Sequence, residues 1–438
     1  MMNSLIILLI KKIEGVPMLK DYCSVCNFSD DGFIGLEFKN GKPHITFPRG
    51  YHKSEKDENV RRDILHLLAI LEKFNKNKES TDKRNTDDGS DISFPIHAYQ
   101  YVIYDFLANG YYTDKDVEYR TSDRGKINWK RTIRKIKPVV DGENVLYLNF
   151  VTKRSITKSN IITVIHEYCV YESFRVLGWL YLDSAYVPRK PGIKFNRKMF
   201  ISLLNDSLKN TFNNTKKKLF QSMLDIINQA NEKAEFPDYT YGVSRFEYVW
   251  QNLIDYVMGE DNKSKYFPHS YWRIIDGNRS VKNSALEPDT IMLKDDKVFI
   301  LDAKYYKFGI VGSAEFLPAT SSVQKQITYG EHVATTMNIP GNNIYSAFII
   351  PYDSGADKYL DENGNRTDDG LRFVSVGTGD WIKYGKDTEN YKYVLGILLD
   401  TKYLMDTYSR HNLSEIDRMA DFITNSLARF REQEDKTD

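Results

Sequence analysis

The stretch EPDTIMLKDDKVFILDAKYY, Glu287–Tyr306, decides the fold. Two apolar runs sit between acidic ends and meet at Asp295-Asp296. A tight turn there predicts an antiparallel hairpin in which Lys294 faces Lys297 and Leu293 faces Val298. Continued outward, that register sets Asp289 directly across from Asp302, ~5 Å apart at Cβ. Side chains alternate along a strand, so Lys304 shares the face of Asp302. Asp289, Asp302 and Lys304 therefore converge at one end of the hairpin. A four-residue turn about the same centre leaves this register unchanged.

The residues between the ends are apolar on both faces. Ile291, Leu293, Val298 and Ile300 lie on one, Met292, Phe299 and Leu301 on the other. Strands of this kind are covered on both sides. Two carboxylates against a packed sheet repel each other and lose hydration, so they require a counter-charge. Lys304 supplies one unit. A divalent cation would supply the rest, and Mg2+ suits one or two carboxylates plus a substrate phosphate. Such a trio is equipped for attack at phosphorus. The metal would polarise a phosphodiester and lower the pKa of a bound water. Lys304 would orient that water or stabilise the charge that develops. The bland alternative is an ion trio that only braces an exposed hairpin end.

The 438 residues allow two or three domains. Sixty-one basic against sixty acidic residues leave a net charge of +1, so any nucleic-acid surface must be a local patch. One candidate is RGKINWKRTIRKIK (124–137), with seven basic residues and no acidic one. Lys126, Lys130, Arg131 and Arg134 would touch phosphates, anchored by Trp129; equally, the segment reads as a solvated face. Three cysteines argue against a disulfide framework and for a reducing compartment. Cys23 and Cys26 form a CxxC without a second pair, and zinc needs four ligands, so two reduced thiols are expected. The apolar run at 5–10 is too short to span a bilayer. Lysines follow it rather than precede it, which argues against a signal peptide. It reads as a strand, and Met18 could be an alternative start. The expectation is a cytoplasmic protein without a membrane segment.

Along the chain, alternation with Asn40-Gly41 predicts a hairpin over 33–47. Helices are expected over 58–75 and 94–110, with a mobile polar loop over 75–91. Residues 155–183 and 196–234 read as helical, and the Pro/Gly break at 235–242 reads as the main domain boundary. A helix over 243–258, a strand at 271–275, a helix over 321–337 and strands at 344–352 and 393–400 follow. GTGD (377–380) reads as a turn. A last helix carries an apolar stripe at 413, 416, 420, 423, 427 and 430. The order implies an α/β core with a partly parallel sheet. Three regions are expected: an N-terminal α+β region, 1–150, that binds DNA or docks a partner; a helical region, 151–235; and a catalytic domain, 236–438.

Pro288-Asp289, twelve intervening residues, then Asp302-Ala303-Lys304 resemble the signature of the PD-(D/E)xK nuclease superfamily. More narrowly, the chain resembles the LlaJI restriction endonuclease family and the related McrC nuclease subunits. Those share aromatics after the lysine, here Tyr305-Tyr306, and an upstream Phe-Glu, here Phe246-Glu247 in SRFEYVWQNLI. GKINWKRTI (125–133) is also LlaJI-like. The likeness covers 236–352 well and 120–135 loosely. It implies a PD-(D/E)xK core, a mixed central sheet flanked by helices. It implies that Asp289 and Asp302 are metal ligands with the Ala303 carbonyl as a third, that Lys304 is the catalytic amine, and that Glu247 holds metal-bound water. VQKQITYG offers Gln324, Gln326 and Tyr329 for the glutamine and tyrosine of the following helix; Gln326 is taken as the glutamine, with Lys325 touching phosphate. Further implications are Mg2+, replaceable by Mn2+; double-stranded DNA as substrate; a separate McrB-like AAA+ GTPase; and transient pairing of nuclease domains.

GxxxxGK[ST] is absent, so no nucleotide is expected on a P-loop of this chain. There is no GxSxG elbow. His166-Glu167 does not extend to HExxH because position 170 is Val, and the eight histidines are scattered. The expected function is a metal-dependent DNA endonuclease of a bacterial restriction system, acting as the nuclease subunit of a GTP-dependent complex. The alternatives are a self-sufficient type II enzyme and a non-catalytic assembly subunit that stimulates a motor.

Overall fold

The hairpin forms in the expected register. Thr290–Lys294 pairs antiparallel with Lys297–Ala303, from Lys294 opposite Lys297 to Thr290 opposite Leu301. Asp295 turns the chain with φ 55, a left-handed conformation that Asp tolerates. The structure is a computed structural model. It describes residues 18–28, 32–81, 90–92, 94–158, 160–182, 187–230, 238–274, 279–355, 372–381, 388–408 and 412–437. The apolar run at 5–10 and the centre of the polar segment after residue 81 lie outside them.

The hairpin edges a five-stranded mixed sheet. Lys297–Ala303 runs parallel to Ile344–Tyr352, which runs parallel to Val394–Asp400; Phe373–Gly379 closes the far edge antiparallel. Parallel neighbours need a crossover, and the helix Thr320–Met337 lies between the first two in sequence. Ile291, Val298, Ile300 and Ile344 pack with Tyr329 and Val333 of that helix. Met292, Phe299 and Leu301 are also fully buried, so the hairpin is covered on both faces as its composition requires. The α/β class and the partly parallel sheet are thus as expected.

A second five-stranded sheet has the order Cys23–Val25, Lys42–Phe47, Ile34–Lys39, Tyr239–Val243, Ser90–Ile92. Its first hairpin turns at Asn40 and Gly41, with φ 52 and 75. Both are positive, as a two-residue turn matched to strand twist demands. Tyr239–Val243 pairs with Ile34–Lys39 on one side and Ser90–Ile92 on the other. That strand joins the segment before residue 93 to the one that resumes at 238. The chain accordingly forms one compact unit from Met1–Ser93 and Asp238–Asp438, and a second from Phe94–Pro237.

This division differs from the linear one of 1–150, 151–235 and 236–438. Residues 1–93 belong with the proposed catalytic domain, because the bridging strand pairs across more than a hundred residues of intervening chain. Residues 94–150 join 151–237 instead.

The second unit contains the helices Ile96–Asn109, Ile161–Tyr181, Arg197–Asn210 and Asn214–Gln229. Asp114–Thr121, Val151–Lys158 and Lys126–Ile127 form a three-stranded sheet, and Val139–Asp141 pairs with Asn144–Leu146. Four local expectations change. Residues 155–158, expected to open a helix, complete the strand Val151–Lys158 instead; the segment is rich in β-branched residues, and Asn160 caps the helix that follows by accepting from the Thr163 N–H. The helix expected over 196–234 is two, because Asn213 caps a second one at Lys216. The first long helix runs to Thr81, beyond the expected end at 75. Gly377 and its neighbours lie in a bulged edge strand, Phe373–Gly379, not a turn.

Cys23 is buried and its thiol is pushed up to about 12 by that burial, so it is no thiolate. Among the described residues, no helix is long and apolar enough to cross a membrane.

Candidate active site

The ladder ends at Thr290 and Leu301, so Asp289 and Asp302 are the next pair outward. Asp289 closes the end by accepting from the Ala303 backbone N–H at 2.8 Å through Oδ2. The Lys304 ammonium lies 2.5 Å from Asp302 Oδ2. The Asp302 side chain is 8% exposed and that of Lys304 19%. The strand that carries them is locked to its neighbour, where Lys304 N–H donates to the Ile349 carbonyl at 2.9 Å.

Electrostatics follow from this crowding. Burial first, and the Asp302 charge second, push the Asp289 carboxyl up to about 6; the Ala303 N–H, Lys304 and Lys325 oppose that rise. For Lys304, burial favours loss of the proton, but the Asp302 charge and hydrogen bond outweigh it and the pKa moves up. The side chain is an ammonium donor.

The helix Thr320–Met337 faces this end of the hairpin. The charges of Asp302 and Asp289 act on the Tyr329 hydroxyl, which burial has already pushed upward in pKa. Gln326 stands one turn earlier, on the same helix face as Tyr329. It is 1% exposed, and among the described residues neither its amide oxygen nor its amide nitrogen has a hydrogen-bond partner; nor does the Tyr329 hydroxyl. Leaving buried polar groups unpaired costs ~1–3 kcal/mol each. The Tyr329 hydroxyl, which feels the charge of both carboxylates, is thus left able to donate and accept.

Asp289, Asp302, Ala303 and Lys304 are therefore brought together, and Lys325 acts on Asp289 through its charge. Glu247 opens the helix Phe246–Met258, half exposed; it pairs with Arg245 at 2.8 Å, and its charge acts on Tyr305, the residue after Lys304. Gln251, one turn further, reaches Asp289, donating to its Oδ1 at 2.7 Å. Its i+4 spacing from Glu247 was the available signal. Lys263 holds the same residue from behind, donating 2.6 Å to the Asp289 carbonyl and 2.7 Å to Asp255. Arg49 had no signal at all. It is buried; its backbone N–H donates to the Tyr305 hydroxyl at 2.6 Å and its guanidinium to the Tyr305 carbonyl at 2.5 Å. Tyr305 also packs on Phe246 of the upstream helix. The residue after Lys304 is thus held from two sides.

Among the described residues no group of three or more His, Cys, Asp and Glu gathers as a metal cluster. The donors at the hairpin end are the carboxylates of Asp289 and Asp302. That set fits Mg2+, which retains waters and takes few protein ligands, and the raised Asp289 pKa is the mark of a carboxylate short of positive charge.

The basic strip lies in the second unit. Lys126, Lys130, Arg131 and Arg134 are all exposed. The short helix Trp129–Lys135 is fixed at its start by Asn128 and by Thr132, whose hydroxyl accepts from the Val151 N–H at 2.9 Å. Trp129 packs edge-on against Tyr147 and Phe150 but is 53% exposed, a looser anchor than expected.

Three likenesses bear on this arrangement. The "Type II restriction enzyme BsuMI component YdjA" of Bacillus subtilis (strain 168) is 26% identical over 342 residues, 73% of this chain and 72% of that protein. A chain in the solved assembly of Thermococcus gammatolerans McrB AAA+ hexamers with bound McrC aligns over 86% of this chain and 81% of its own, at 14% identity and a TM-score of 0.32, too low to establish a shared fold. The profile of the LlaJI restriction endonuclease matches residues 33–367, which take in the acidic hairpin, the helix after it and the basic strip. With most of its length matched, the chain belongs to the LlaJI restriction endonuclease family.

Proposed function

We propose that the chain hydrolyses DNA phosphodiesters at Asp289, Asp302 and Lys304 with the help of a divalent cation, on a PD-(D/E)xK core. One observation carries the reading: two carboxylates and an ammonium crowd the end of a hairpin buried on both faces, beside unpaired buried amide and hydroxyl groups. Family membership supports the endonuclease class. Asp289, Asp302 and the Ala303 carbonyl would hold Mg2+, or Mn2+ in its place. When bound, the cation supplies charge neutralisation at the phosphate and a more acidic water. Lys304, kept charged by Asp302, donates to the oxygens on which negative charge builds. Gln326 and Tyr329 offer the donors and acceptor that orient water and phosphate. Gln251 and Lys263 keep Asp289 in place. Lys325 adds a phosphate contact, and Lys126, Lys130, Arg131 and Arg134 extend binding along the duplex backbone.

The chain works as one component of a restriction system. The name of the Bacillus subtilis relative, a component of a type II enzyme, supports shared labour. The motif resemblance to McrC-like subunits supports an AAA+ GTPase of the McrB kind as the partner, and a double-strand break calls for two nuclease copies at some stage. The test is plasmid cleavage by the purified chain with Mg2+ or Mn2+, with and without GTP and the motor subunit. Cleavage lost in Lys304→Ala supports the site. Cleavage undiminished in that variant overturns it. Cutting by the wild type without a partner selects a self-sufficient type II enzyme, and no cutting under any condition selects a non-catalytic subunit.

A further inference from the structure

Between the helix Phe246–Met258 and the acidic hairpin, the chain makes a detour. His269–Ile274 and Arg279–Ala285 pair antiparallel as a two-stranded sheet of their own. The base of this ribbon is closed where Leu286 N–H donates to the Pro268 carbonyl at 2.9 Å. Three residues later the chain is at Asp289. The ribbon is therefore rooted beside the proposed cutting centre.

Tyr271 and Trp272 are neighbours on one strand, so they belong to opposite faces of the ribbon. Both are exposed, Tyr271 by 60% and Trp272 by 67%. A ribbon packed on the body of the protein would bury one face and keep aromatics there. Here large aromatics stand in solvent on both. Their exposure forgoes the gain that burial of a large aromatic brings. The register sets Lys282 opposite Tyr271 and Val281 opposite Trp272, and a bulge between His269 and Tyr271 twists the ribbon near its root. In sequence the two strands carry Arg273, Arg279 and Lys282 and no acidic residue.

We propose that this ribbon engages double-stranded DNA next to the cleavage site, laying Tyr271 and Trp272 into a groove; the proposal rests on the nuclease reading above. A two-stranded ribbon fits the major groove, ~12 Å wide. Six strand residues reach ~20 Å, about the width of a duplex. Basic positions on both strands complement the phosphates that line the groove. Aromatic rings add contact area and can wedge against bases. A second copy of the chain would be served by apolar faces alone and would gain nothing from three cations per ribbon. Rooted beside Asp289, the ribbon would hold the duplex in register for the cut.

The experiment compares full-length wild type with Tyr271→Ala/Trp272→Ala. Binding of a fluorescein-labelled duplex is followed by anisotropy with Ca2+ in place of Mg2+, cleavage is measured with Mg2+, and mass in solution by sedimentation. Both side chains are exposed, so thermal unfolding is expected to be unchanged. The expected result is binding at least tenfold weaker, and cleavage reduced through KM more than kcat. Equal binding and cutting by the two proteins would overturn the ribbon's role and leave the nuclease reading intact. A variant that binds DNA normally but loses self-association would overturn it in favour of a contact between copies. A wild type that neither binds nor cuts DNA, with the motor subunit and GTP present as well as absent, would overturn both readings together.

Discussion

The acidic hairpin end and the basic strip both concentrate charge, and they handle it in opposite ways. At the hairpin end, Asp302 and Lys304 are largely buried and answer to each other. On the strip, Lys126, Lys130, Arg131 and Arg134 face water, and only the backbone beneath them is held. Arg131 finds a local partner, 3.8 Å above the Tyr119 ring. A buried charge is committed to one geometry, and each change there is felt in full. An exposed charge is screened and interchangeable with its neighbours. Chemistry at one atom needs the first arrangement; contact with a long polyanion is served by the second.

The sharpest way to break this contrast is Lys304→Ala. Removing a preorganised donor from a buried site should slow cleavage by about a thousandfold, measured as single-turnover plasmid cutting, while circular dichroism stays native. A loss of only a few-fold would mean that the hairpin end behaves like the strip.

Burial should outweigh location, and His166 in the second unit tests that. It is fully buried; its Nδ1 accepts from the Tyr112 N–H at 2.9 Å, and burial drops its pKa to about 4. A depressed pKa means that the unfolded chain takes up the proton first. Stability is full above pH 6.5 and is lost as pH falls toward 4, by up to ~3 kcal/mol. Urea unfolding followed by hydrogen exchange at amides of 94–237 should show this slope in wild type and a flatter one in His166→Gln.

Asp289→Asn sharpens the comparison from the other side. With its carboxyl pKa raised, ionised Asp289 costs the metal-free protein stability at neutral pH, a cost that fades as pH falls below about 6. The amide should therefore raise metal-free stability at pH 7.5 by ~1–2 kcal/mol while abolishing cleavage. A thermal midpoint that drops instead would mean the carboxylate is not under strain from its neighbour.

The smallest effects belong to the strip. Single changes such as Lys130→Ala or Arg134→Ala should weaken DNA binding only two- to threefold. For every phosphate no longer neutralised, the slope of log affinity against log salt should shrink by ~0.9. Anisotropy titrations at three salt concentrations give that slope, and an unchanged slope would return the strip to a solvated face.

What could be read from the residues follows the same divide. Hairpin register is a local matter: a turn at Asp295 fixes every pair out to Asp289 and Asp302, and the apolar faces leave no slack. The mixed sheet and the helix carrying Gln326 and Tyr329 were legible for the same reason. Pairing between Ser90–Ile92 and Tyr239–Val243 was not, because no local pattern encodes a partner so far along the chain. Arg49 was hidden likewise, its role being set by where Tyr305 ends up. Gln251 was within reach, since helical spacing puts it on the face of Glu247. At 155–158 the chain was read as the start of a helix, although it completes a strand, Val151–Lys158, paired with Asp114–Thr121.

The bridging strand has an architectural consequence. Ile92 and Tyr241 are antiparallel partners, so the chain departs for its excursion through 94–237 and comes home on adjacent strands. A simple reverse turn could close that gap. The excursion is thus a cassette: lengthening, replacing or removing it would leave the sheet from which it springs unbroken.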